Sequence, residues 1–226
     1  AVVLLVRSHV RFNRKKKEAQ SDVLFQTILA TENQAEVWPL LLLYINEKQK
    51  MFLSFGEETY GMVIDGFRDD NVKLLSRSEK ALATEKDVLK GQRRKLTLCL
   101  RRATPATAIE KSTWFHLSNN MAMSMTYNLR RINEVCKEHV DNNFRPLPDR
   151  FKSYLTEMRD RVTALFAESR SAIDDNNPEM IDDLRRRCDL LKQDITVHTR
   201  KVYDFLQNGE TDNMTVTYVY LNVLQE

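Results

Sequence analysis

Only five glycines and five prolines occur in these 226 residues, and that shortage constrains the fold more than any other property of the chain. Average usage would supply roughly 7% Gly and 5% Pro. Sandwiches and barrels need turn residues at short intervals, and nucleotide-binding α/β folds need glycine loops. What remains is a set of long helices with few connections. Apolar residues at 42% and charged residues at 30% suffice for a core in one large or two small domains. Eight methionines and abundant Leu, Lys, Arg and Glu suit helices.

The apolar spacing locates the helices. Residues 21–34 carry Val23, Leu24, Ile28 and Leu29 at helical spacing and read as a short helix or a connector. A helix starting around Glu36 to Pro39 runs through Leu41, Ile45, Phe55, Met62 and Phe67 to a turn or N-cap at Asp69 to Asn71. Gly56, Gly61 and Gly66 inside it mark a break or a close helix contact. From Val72 to Arg102, Leu75, Leu82, Leu89 and Leu96 recur every seven residues, the signature of a bundle helix. The next helix carries Trp114, Leu117, Met121, Met125, Leu129, Ile132, Cys136 and Val140, a stripe that reads as core. Prolines and paired asparagines at 141–148 form the strongest boundary.

The second half repeats the pattern. One helix covers about Asp149 to Asp174, and a second starts at Asn177-Pro178-Glu179 and stops before Gly209. Thr215 to Tyr220 is β-branched and aromatic, which by propensity alone suggests a strand. A lone strand in a helical chain has no partner, so helix is expected. The expected class is all-α, two antiparallel three-helix bundles in tandem with long helices. Its divisions are a basic segment and connector at 1–34, a first three-helix repeat at 35–143, and a second at 144–226 with an incomplete last helix.

The formal charge of +3 is unevenly placed. Arg7, Arg11, Arg14, Lys15, Lys16 and Lys17 face only Glu18 within the first twenty residues, and the rest of the chain is net negative by two. A slightly acidic body gives no footprint for nucleic acid, so none is expected as a partner. The six apolar residues Ala1 to Val6 meeting this basic run look like the end of a transmembrane helix on its cytoplasmic side, or else a basic arm on a soluble protein. Cys99, Cys136 and Cys188 are dispersed and read as small buried apolar residues of an intracellular chain.

The arrangement resembles the PhoU-like family of tandem three-helix bundles that regulate phosphate uptake. The family's helix motif, close to Asp-Leu-Glu-Arg-Ile-Gly-Asp-His, aligns with the stretch from Asn128 to Val135, in which Leu129, Arg131 and Ile132 match. The metal-binding acids are not kept, since Asn128 and Arg130 replace two of them and only Glu134 survives. The basic run Arg11 to Lys17 followed by such a bundle is closer to the C-terminal cytoplasmic extension of bacterial PiT-type inorganic phosphate transporters, with sodium-coupled phosphate cotransporters second. The resemblance implies a regulatory domain at the cytoplasmic face of the cell membrane. Its implied partners are the membrane domain of the same chain, anionic lipid at the basic segment, and a second copy in a homodimer.

Carboxylates four apart on a helix present two oxygens to one cation. Asp65 with Asp69, Glu134 with Glu138 and Glu179 with Asp183 are such pairs, but 32 acids in the chain produce several by chance. No cofactor is expected; if a divalent or transition metal binds, Glu134 and Glu138 are the candidates, with His139 adjoining. His9, His116, His139 and His198 are dispersed, with a surface or helix-end position expected for His139. No nucleophile motif or phosphate loop is present, so enzymatic activity is not expected.

Overall fold

A computed structural model describes residues 18–175, 177–209 and 213–226, and all its regular elements are α-helices. α1 covers 18–30; α2 is Gln34–Arg68, α3 Val72–Leu100, α4 Pro105–Asp141, α5 Asp149–Asp175, α6 Pro178–Gln207 and α7 Met214–Gln225. The chain forms the all-α bundle that its glycine shortage demands. The cluster Arg7, Arg11, Arg14, Lys15, Lys16 and Lys17 lies outside the described residues. Among those described, no helix is long and apolar enough to cross a membrane.

Helix ends follow side-chain chemistry. Asn33 accepts from the Ala35 N–H at 3.1 Å and so starts α2 ahead of Pro39, which sits inside the helix rather than at its opening. Asn71 caps α3 by accepting from Leu74 N–H at 3.3 Å, after Asp70 turns the chain at φ 49°. Asn177 accepts from Glu179 N–H at 3.0 Å with Pro178 in the first turn of α6, and Asn213 accepts from Val216 N–H at 3.2 Å to open α7. The β-prone residues of α7 are thus helical, with Val216, Thr217, Tyr220, Leu221, Val223 and Leu224 buried. Burial of an amphipathic face outweighs a propensity difference of a few tenths of a kcal/mol per residue.

The chain gathers into two compact units. The first holds the described residues up to Phe52 together with Asp87–Met123. Its core is Phe25 and Ile28 of α1, Val37, Leu41, Tyr44 and Ile45 of α2, Leu96 and Cys99 of α3, and Phe115 of α4. The second holds Leu53–Lys86 and Ser124–Glu226. There α2 runs antiparallel to α3, with Glu58 beside Arg77, and antiparallel to α5, with Asp65 beside Arg159. α5 and α6 form an antiparallel pair tied by Arg161 to Asp194 at 2.5 Å and by Arg187 to Glu168.

Two of the three glycines of α2 mark close contacts, and none marks a break in the helix. A Cβ on Gly56 would lie 2.8 Å from the Phe166 ring, and one on Gly66 would lie 2.8 Å from Leu75. Leu75, Leu82, Leu89 and Leu96 are all buried, as their seven-residue spacing requires.

Two sequence expectations are corrected. On α4 the expected core stripe is buried at Leu129, Ile132, Cys136 and Val140, but its first members Trp114, Leu117 and Met121 are exposed, Met121 by 62%, and Phe115 is buried in their place. Adjacent residues on a helix point about 100° apart, so the face beginning at Phe115 is an equally regular choice for the first part of α4, and the packing of unit one selects it there. Cys188 is exposed, unlike Cys99 and Cys136.

Candidate functional site

The heptad of leucines decides which way α3 faces. With that stripe inward, the opposite side carries Lys90, Arg93, Arg94, Thr97, Leu98 and Arg101, which line an open surface concavity of about 530 Å³. The span from Lys90 to Arg101 is roughly 16 Å at 1.5 Å per residue. Between Lys86 and Arg102 the helix and its end hold seven cations and one acid, Asp87.

Several arginines elsewhere in the fold hold carboxylates. Arg159 bonds Asp65 at 3.2 Å, Arg68 bonds Asp69 at 2.8 Å, and Arg170 pairs with Glu57. Around the basic face, Lys90 is near Asp87 at 3.5 Å, Lys95 bonds Asp22 at 2.7 Å, and Arg102 donates to the Thr31 carbonyl at 2.9 Å. Among the described residues no carboxylate lies within ion-pair distance of Arg93, Arg94 or Arg101. All three are exposed, and Gly91 beside them has open space around its Cα. Leu98 lies in their midst, 48% exposed. A planar guanidinium presents paired donors that match phosphate or carboxylate oxygens, so the face is built to receive anions.

In each carboxylate pair at least one member holds an arginine. Asp65 and Asp69 hold Arg68, and the Arg68 hydrogen bond keeps the Asp69 carboxyl below its usual range. Asp183 pairs with Arg186 at 2.5 Å. Glu134 is exposed and bonds Arg130 at 2.8 Å; Glu138 is exposed one turn later. His139 is not beside them at a surface. It is 1% exposed, with the Phe67 and Phe144 rings at 5.3 Å and 5.5 Å, and burial lowers its pKa while Asp70 and the Arg145 backbone oppose the shift. Among the described residues, no three His, Cys, Asp or Glu side chains gather as a metal would need.

A second cluster joins α5, α6 and α7. The His198 ring stacks on Tyr154 at 3.4 Å between centroids, and Phe151 stacks on Tyr220 at 4.0 Å. Burial pushes the Tyr154 hydroxyl up to about 12. Neither cluster is anticipated by motif spacing. The α3 face has a sequence signal, a run of seven cations from Lys86 to Arg102, which the near-neutral charge of the whole body conceals. The His198 cluster has no such signal, because its members come from three helices, with His198 and Tyr220 22 residues apart and Tyr154 further away still.

No known family model, curated protein or solved structure matches this chain significantly.

Proposed function

We propose that this chain is a non-enzymatic regulatory domain of an inorganic phosphate transporter, held at the cytoplasmic face of the membrane. The observation that carries the reading is the helix order. Three long helices, a Pro/Asn-rich joint at 142–148, two more long helices and the 12-residue α7 follow the order of the PhoU-like repeats that the sequence resembles. The apolar and basic opening of the sequence adds support, since Lys and Arg accumulate where a span emerges on the cytoplasmic side. In this role the bundle acts by docking, with phosphate carried by the membrane domain of the same chain. Reading the coding sequence upstream of Ala1 tests the proposal. Several in-frame membrane spans are expected, and an initiator Met directly ahead of Ala1 would overturn it.

A second reading is a freestanding PhoU-like regulator that binds a helical partner. The exposed stripe Trp114, Leu117 and Met121 on α4 favours it, because helical partners bind through residues spaced by three, four and seven.

A further inference from the structure

We infer that the outward face of α3 is a docking surface for the anionic headgroups of a lipid bilayer, distinct from the basic segment at residues 7–17. It goes beyond the transporter reading and holds whether or not the chain continues into a membrane domain.

Charge complementarity identifies the occupant. Arg93, Arg94 and Arg101 lack carboxylate partners among the described residues, as Arg145 and Arg200 do, but these three line one concavity within nine positions of one another. Lys90, Arg93 and Arg94 share one side of α3 and Arg101 follows in the turn at its end, so their headgroups line one exposed concavity. Leu98 is exposed among them and Thr97 is half-buried beside it. Cations surrounding a lone aliphatic side chain suit a lipid interface, where the charge meets phosphate and the alkyl group enters the acyl boundary. Arg side chains have long apolar stems that allow both at once. Single-stranded nucleic acid fits less well, because the face carries no aromatic ring on which a base stacks.

The test is co-sedimentation of the full chain with vesicles of phosphatidylcholine holding about 30% phosphatidylglycerol, a charge density typical of anionic leaflets. It is run in a background in which Arg7, Arg11, Arg14, Lys15, Lys16 and Lys17 are replaced by Gln, so that the N-terminal cluster does not contribute. That background is expected to bind these vesicles and not pure phosphatidylcholine, and to release as salt rises. Adding R93Q/R94Q/R101Q should weaken partition at least about tenfold, since each charge near an anionic surface counts several-fold. L98S should reduce the binding that survives salt. Unchanged helicity by circular dichroism shows that the variants remain folded.

Equal partition with and without the three α3 substitutions would overturn the inference. So would equal binding to neutral vesicles, or displacement from vesicles by a random-sequence oligonucleotide at a lower phosphate concentration than the lipid. If binding disappears with the N-terminal substitutions alone, the α3 inference fails while the transporter reading stands; a missing upstream membrane region has the opposite effect.

Discussion

His198 Nε2 lies 2.7 Å from the hydroxyl of Tyr220, 22 residues further along the chain. Tyr220 is wholly buried, so its O–H needs an acceptor, and the imidazole lone pair supplies one only while the ring is neutral. Burial lowers the pKa of His198, with Lys201 adding to that effect and Asp194 and Glu157 opposing it. The bond joins α6 to α7, and the Tyr154 stack joins α6 to α5.

Stability should therefore fall on mild acidification. His198 and His139 both have folded-state pKa values below the ordinary value of 6.5, so the unfolded chain binds more protons as pH drops through that value. Their contribution is complete above about pH 7 and is lost progressively below the unfolded pKa. Thermal melts between pH 7.5 and 5 should show a falling Tm, and H198Q should flatten the curve. A wild-type Tm that rises over this interval would refute the assignment.

Gly66 and Gly91 should respond oppositely to alanine. A Cβ on Gly66 meets Leu75, which is buried in the core, whereas one on Gly91 meets nothing within 4 Å. Gly66→Ala gains helix propensity of about 1 kcal/mol but incurs overpacking of about 1–3 kcal/mol, a net destabilisation. Gly91→Ala should stabilise by about 0.5–1 kcal/mol. Urea unfolding of both variants distinguishes the signs.

The two halves of the α4 stripe should differ in sensitivity. Leu117 and Met121 are exposed, so substitution by Gln should change stability by less than about 0.5 kcal/mol each. Leu129, 5% exposed, should lose about 2–5 kcal/mol on truncation to Ala. Comparable losses at Leu117 and Leu129 would show the stripe from Trp114 to be core after all.

The thiols should divide one to two. Cys188 is exposed, while Cys99 and Cys136 are buried and burial raises both thiols, that of Cys99 to about 11. Since the thiolate is the reacting form, a native titration with a disulfide reagent should modify one equivalent quickly, and C188S should abolish that phase. Three equally fast thiols would contradict the burial.

The sequence by itself determined whatever depends on near neighbours along the chain. The lack of glycine and proline imposes helices, Asn71 and Asn177 start them where their side chains reach an N–H two or three residues on, and the leucine heptad selects the buried side of α3. Even α7 was legible, because a strand there would have no partner. Tertiary structure decided what depends on distances between helices. It selected Phe115 over Trp114 as the buried member of two equally periodic stripes, and it placed His198 against Tyr220. It also gave carboxylates to Arg159 and Arg170 while leaving Arg93, Arg94 and Arg101 facing outward. Charge and periodicity are properties of one segment, but whether a cation finds a carboxylate or a ring finds a lone pair depends on which segments the fold brings within 4 Å.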